Sequence, residues 1–124
     1  MILKEIQRKL CNNFSIFGIE TPELDARIIL KEVLSLDDKD LILKESLDIS
    51  NEMIEKIIAI ESRRLNGEPI SKIFKKRDFY NSTFLISNDV LDPRPETELI
   101  VEIANNYINK NEVNNILDLG TGSG

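Results

Sequence analysis

The strongest constraint on this chain lies at its far end, where Asn115-Ile116-Leu117-Asp118-Leu119 runs directly into Gly120-Thr121-Gly122-Ser123-Gly124. Ile116, Leu117 and Leu119 make a short apolar run of the kind a buried parallel strand shows, and glycines take backbone angles closed to other residues. The pattern predicts a strand feeding a glycine turn. In doubly wound α/β domains such a turn lets the backbone approach a nucleotide-like ligand, and the following helix points its N-terminus at that ligand. No such helix follows within these 124 residues. The bland alternative is a flexible glycine-rich tail; the apolar run before it is what a linker lacks.

The glycine spacing narrows the ligand. Positions 120, 122 and 124 give Gly-x-Gly-x-Gly, whereas a dinucleotide fingerprint is Gly-x-Gly-x-x-Gly with an acid about twenty positions on. With Asp118 at the strand's end, the segment resembles the first motif of S-adenosylmethionine-dependent methyltransferases. That resemblance makes Asp118, Gly120, Thr121, Gly122, Ser123 and Gly124 the candidate cofactor-binding residues.

Composition sets the outer limits. A chain of this length, 41% hydrophobic and 31% charged, can bury a core and is globular in character. Its net charge of −6 argues against a phosphate-binding face and so against direct nucleic-acid binding. Protein and small-molecule partners are expected. With no histidine, the commonest general base and metal ligand is missing, and no metal site is expected. Cys11 is the only cysteine, so no internal disulfide or thiolate zinc cluster can form. It reads as a small core residue beside Leu10 and Phe14. Met1-Ile2-Leu3 gives way at once to Lys4 and Glu5, and no run approaches the ~18 apolar residues of a membrane span. A soluble, cytoplasmic, monomeric protein without a membrane partner is the expectation.

The first part of the chain is helical in pattern, and the fold class expected overall is mainly α. Leu3, Ile6, Leu10, Phe14 and Phe17 recur at three-to-four spacing and mark one helical face, which Gly18 ends. Thr21-Pro22-Glu23 reads as N-cap, first-turn proline and favourable acid for a second helix carrying Leu24, Ile28, Val33 and Leu34. Asp37 or Asp38 would cap a short third helix through Leu41 and Ile42. Ser50 would cap a fourth, through Met53, Ile54, Ile57, Ile58, Glu61 and Leu65, with Asn66-Gly67 as a left-handed stop. Short helices on short loops bury their stripes against one another, so residues 1–67 read as a small bundle. Arg63-Arg64 reads as a solvated helix end and Arg27 as a surface or ion-paired residue.

After Pro69 the composition turns to β-branched and aromatic residues: Ile70, Ile73, Phe74, Phe79, Tyr80, Phe84 and Ile86 surround a turn-like Asn81-Ser82. Residues 68–92 therefore read as a β-hairpin linker, with Lys72, Lys75, Lys76 and Arg77 as charges that guard its edge. In Pro93-Arg94-Pro95-Glu96-Thr97-Glu98 the prolines fix φ and push the residues before them toward extended geometry, holding Arg94 on a stiff turn at a helix start. The helix then carries Leu99, Ile100, Ile103, Ala104, Tyr107 and Ile108. By itself the stretch is a well-capped helix entry.

Taken in order, Gly67-Glu68-Pro69-Ile70, Arg77-Asp78-Phe79-Tyr80, Asp89-Val90-Leu91, Pro93-Arg94-Pro95-Glu96-Thr97-Glu98 and Asp118-Leu119-Gly120-Thr121-Gly122-Ser123-Gly124 resemble the peptide chain release factor glutamine methyltransferases. The resemblance covers the whole chain and is most specific at Pro-Arg-Pro-Glu-Thr-Glu. It implies an N-terminal helical bundle, a hairpin linker, and from residue 93 to 124 the first helix and strand of a truncated Rossmann-like α/β methyltransferase domain. It also implies S-adenosyl-L-methionine as cofactor, peptide chain release factors as protein substrate and Arg94, Pro95, Glu96 and Thr97 as further candidate cofactor contacts. The activity implied is methyl transfer to the side-chain amide of the glutamine in a Gly-Gly-Gln motif. The family's Asn-Pro-Pro-Tyr catalytic motif is absent from these residues, so no catalytic residue is assigned and the isolated chain is expected to be inactive. Where the family usually has an aliphatic residue before Pro93 this chain has Asp92, and its hairpin is more charged. The alternatives are a stand-alone helical binding module that has lost its catalytic half, and a related methyltransferase acting on another amide or amine.

Overall fold

The computed structural model describes residues 1–122. The chain divides into two compact units, Met1–Ile73 and a second beginning at Phe74.

The first unit is a helical bundle. Helix α1 (Leu3–Ile16) buries Leu3, Ile6, Leu10 and Phe14, the stripe its spacing predicts. Phe17 falls outside it, 67% exposed beyond the helix end, because Gly18 turns the chain at φ +77°. The first N–H groups of α1 have no partners within the helix and donate instead to the loop after the third helix, Leu3 to the Leu47 carbonyl at 2.8 Å and Lys4 to that of Glu45 at 3.0 Å. Helix α2 (Pro22–Leu34) packs against α1 and two later helices. Its buried face differs from the expected one: Ala26, Ile29 and Leu30 are inside with Asp25, while Leu24 is 47% exposed. Small Ala26 and charged Asp25 hide this face from a reading that follows bulk. Thr21 precedes the helix without a side-chain cap; its hydroxyl donates to Asp25 Oδ1 at 3.0 Å.

Helix α3 (Asp38–Leu43) starts at Asp37, whose carboxylate accepts from the Asp40 N–H at 2.7 Å while Asp40 accepts in return from the Asp37 N–H at 3.3 Å. Leu41 is buried and Ile42 exposed. Helix α4 (Asn51–Leu65) is capped by the Ser50 hydroxyl and ends at Gly67, φ +94°. Only Ile57 of its apolar residues is fully buried, and Ile58 is on the outer side.

Residues 70–74 overturn part of the expected hairpin. They form a short helix, α5 (Ile70–Phe74), started by the Pro69 carbonyl, which accepts from the Lys72 and Ile73 N–H groups at 3.0 Å each. Ile70, Ile73 and Phe74 carry helical i, i+3, i+4 spacing, and that period outweighs their β-favouring composition. Lys75, at φ +55°, ends the helix and redirects the chain.

The hairpin proper comprises β1 (Lys76–Phe79) and β2 (Ser82–Leu85), antiparallel, with Phe79 opposite Ser82. Its turn is Tyr80-Asn81, one residue earlier than expected, with φ +42° and +62°. Positive φ at both central residues is the requirement of the primed two-residue turn whose twist matches the strands. Phe79 and Phe84 meet edge to face at 6.1 Å between centroids, and the Thr83 hydroxyl donates to Asp78 across the pair. A single 3-10 turn, Pro95–Thr97, then leads into α6 (Glu98–Lys110).

The strand expected over residues 116–119 is absent. Between α6 and residue 122 the described chain forms neither helix nor strand, and Ile116, Leu117 and Leu119 are 74%, 81% and 83% exposed. A parallel strand is stabilised by neighbours on both edges and cover on both faces, and these residues have neither.

Candidate functional site

The two candidate segments have different local causes. Arg94 is extended, φ −95° and ψ 140°, as a residue before proline must be, and its carbonyl accepts from the Thr97 N–H at 3.0 Å to close the turn. Pro95 opens that turn, where its missing N–H removes a donor that would have no partner. The side chains of Arg94, Pro95, Glu96 and Thr97 are all exposed. The next acid, Glu98, is not: half-buried at the first position of α6, it accepts from the Tyr80 backbone N–H at 2.9 Å.

In the terminal segment Gly120 and Gly122 have φ +71° and +63°. A Cβ added to either would meet no atom within 4 Å, so the backbone angle, not crowding, is what calls for glycine there. The Thr121 hydroxyl donates to the Asp118 carboxylate. Asp118, Gly120, Thr121 and Gly122 are thus brought into one tight turn, while Ser123 and Gly124 lie outside the described residues. Among the described residues no hydrogen bond or ion pair joins this turn to Arg94–Thr97.

The turn presents a carboxylate held by Thr121 and, at Gly120 and Gly122, backbone that no side chain crowds. Among the described residues no strand fixes its direction. Along α6, Leu99, Ile100, Ile103 and Tyr107 are 60–66% exposed. Among the described residues there is no cluster of potential metal ligands, and no helix is long and apolar enough to cross a membrane. The Cys11 thiol, half-buried, is pushed above its ordinary value by burial and then by the Glu23 carboxylate, which favours the thiol over the thiolate.

Sequence reasoning missed the buried charges. Asp25 accepts from Arg64 Nε at 2.8 Å, with side chains 7% and 19% exposed, so Arg64 belongs to an interior pair, not a solvated helix end. Arg63 does lie at the surface, gripping Glu68 through two nitrogens at 2.8 and 2.6 Å. Arg27 stands 3.9 Å from Asp38 in an exposed pair. Asp92, which replaces the expected aliphatic residue, is buried with Arg77 Nη1 3.6 Å away. The signal for Asp25 was a carboxylate between Leu24 and Ala26 on an apolar helix; for Asp92 it was the departure itself, beside an arginine-bearing strand.

Comparison with known proteins decides the family. Residues 5–74 match the family model described as the PrmC N-terminal domain, a span that runs from the first turn of α1 to the end of α5. The chain belongs to the PrmC N-terminal domain family. Its relatives carry the resemblance beyond residue 74. It is 40% identical over 105 residues to the release factor glutamine methyltransferase of Buchnera aphidicola from Schizaphis graminum, an alignment covering 85% of this chain and 38% of the relative. It is 42% identical over 101 residues to that of Burkholderia pseudomallei, covering 82% and 35%. It is 31% identical over 140 aligned positions to the bifunctional methyltransferase of Rickettsia typhi, covering 98% and 27%. The chain therefore spans well under half the length of these relatives.

Proposed function

We propose that these residues are the substrate-orienting and linker portion of a methyltransferase that acts on the glutamine side-chain amide of the Gly-Gly-Gln motif in peptide chain release factors. The observation that supports this reading is the joint occurrence of a PrmC N-terminal domain and an alignment, covering more than four-fifths of the chain, with release factor glutamine methyltransferases. In this reading 1–67 is the recognition bundle, 68–92 the linker and 93–124 the start of a Rossmann-like domain. Asp118, Gly120, Thr121 and Gly122, with Ser123 and Gly124, would hold S-adenosylmethionine, and Arg94, Pro95, Glu96 and Thr97 form the neighbouring edge of its site. When bound, that cofactor supplies the electrophilic methyl group. The residues of this chain bind and orient; those that activate the amide are not among them.

A helical bundle separate from the catalytic part is most simply explained as a clamp on a large protein substrate. Contacts far from the reacting glutamine then supply affinity that is converted into positioning at the reacting atom. The chain's net charge of −6 suits a partner surface of basic character. The protein acts as a monomer in the cytoplasm.

A chimaera tests this. Residues 1–124 replace the matching segment of the Buchnera relative, and methyl transfer to intact release factor and to a short Gly-Gly-Gln peptide is measured. Activity on both is expected, and removing residues 1–67 should raise KM for the intact factor far more than for the peptide. A chimaera that folds and binds cofactor but leaves release factor unmethylated would overturn the reading. Equal losses on the two substrates would overturn the clamp. The 124-residue chain alone should show no cofactor affinity in the micromolar range by calorimetry, because the glycine turn is unsupported by a sheet.

A further inference from the structure

Tyr80 occupies a position its residue type disfavours. A bulky aromatic at φ +42° is an uncommon conformer, and here it shares the hairpin turn with Asn81. Two groups from one helix hold it there. Glu98 accepts from its backbone N–H at 2.9 Å, and Asn105 Nδ2 donates to its phenolic oxygen at 3.1 Å. Glu98 and Asn105 are seven residues apart, two helical turns, and so share one face of α6. Ile100, Ile103 and Tyr107 lie on the opposite face, with Leu99 on the flank between. β1 is also tied by Arg77 to Asp92, just before Pro93. The turn, the helix face and the segment entering Arg94–Thr97 therefore close a ring of contacts within the second unit.

We propose that Tyr80 is a latch that fixes the β1–β2 hairpin to α6, with Glu98 and Asn105 as its catches, so that the hairpin and the Arg94–Thr97 turn move as one body. Contacts made on the hairpin are then felt at Arg94–Thr97 through a rigid lever. Glu98, the last acid of the Pro-Arg-Pro-Glu-Thr-Glu stretch, serves this joint and is distinct in role from the exposed Glu96 two residues earlier. The latch stands whether or not the methyltransferase reading holds, since it concerns only the geometry of this chain.

The test is made by NMR on the 124-residue chain. Residual dipolar couplings from Lys76–Leu85 and from Glu98–Lys110 should fit one alignment tensor in the parent. In Glu98→Ala combined with Tyr80→Phe they should need two, with both elements still formed. The Tyr80 amide should exchange at least about tenfold faster in Glu98→Ala, as loss of a hydrogen bond to a charged group implies. Glu98→Gln, which keeps an acceptor, should recover much of the protection. Glu96→Ala removes a comparable charge near the same helix start and should change neither readout. If Glu98→Ala melts α6, the pair Asn105→Ala and Tyr80→Phe, which leaves the helix start intact, must still broaden the spread between the two sets of couplings. A single tensor in every latch variant, or equal effects of Glu96→Ala and Glu98→Ala, overturns the proposal.

Discussion

Replacing Arg64 with methionine should be among the most damaging single changes in the bundle, although the residue sits near a helix end. Methionine keeps most of the hydrocarbon stem, so the loss isolates the charge. The Asp25 carboxylate, 7% exposed, would be left with only the Thr21 hydroxyl, 3.0 Å from Oδ1. Breaking a buried pair by removing one partner costs about 3–5 kcal/mol. Arg64 is itself 19% exposed, so water reaches the rim of the site; the lower end, about 3 kcal/mol, applies. A unit of this size has a total stability of about 4–11 kcal/mol, so the variant loses a large part of it. The melting temperature should fall by about 12–24 °C. Far-ultraviolet circular dichroism on heating and in urea reads both quantities. The double variant Asp25→Asn, Arg64→Met removes the stranded charge and should be more stable than Arg64→Met alone. Arg63→Met, which cuts only the surface pair with Glu68, should lose far less. An Arg64→Met protein within about 1 kcal/mol of the parent, as exposed pairs behave, would refute the reasoning, as would a double variant whose loss equals the sum of the singles.

Phe14→Ala should cost about 3–5 kcal/mol in urea unfolding, since Phe14 is wholly buried. Acid should weaken the bundle in a defined window. Lys31 holds Asp38 below its ordinary 3.8, Lys44 does the same for Asp40, and Lys56 holds Glu52 below 4.5, each chiefly through a hydrogen bond. Folded-state values below the unfolded ones mean stability that is fully present above about pH 4.5 and lost as pH falls through the lowered values, an effect that molar salt should shrink. A melting temperature that rises on acidification below pH 4.5 would contradict this. Hydrogen exchange at Leu117 and Leu119 in the monomeric chain should proceed near the intrinsic rate, and strong protection there would show a pairing these residues lack in the structure.

The contrast between elements read correctly and those misread follows from where each finds its hydrogen bonds and its cover. The α1 stripe, the Asp37 and Ser50 caps and the Gly67 stop are local: spacing, one hydroxyl or carboxylate, one positive φ. Such features are written in a few consecutive residues. The α2 face was not, because Asp25 is tolerated inside only through Arg64, thirty-nine positions away in sequence, and a charge without a visible partner reads as solvent-facing. The hairpin turn slipped by one residue for a related reason. Tyr80 adopts positive φ with help from Glu98 and Asn105, neither of which is local to it.

The same distinction separates α6 from the stretch that follows it. Both are amphipathic or apolar in pattern, and both leave large apolar side chains in water, Ile100 at 66% and Leu117 at 81% exposure. Yet α6 forms and the strand does not. A helix closes most of its backbone hydrogen bonds within itself, so it can exist with its apolar face uncovered; at its C-terminal end the Asn111 side chain donates to the Tyr107 carbonyl. A strand has no internal bonds to close; every N–H and C=O must be met by another strand. The apolar run at Ile116, Leu117 and Leu119 therefore describes an environment, a sheet with covered faces, and its pattern is realised only where that sheet is present. The glycine turn inherits the condition. Gly120 and Gly122 already take left-handed angles, but Asp118 is engaged by Thr121 and no strand end fixes its direction. Pairing of residues 115–119 into a sheet is thus the step that would fix the direction of Asp118 and of the glycine turn after it.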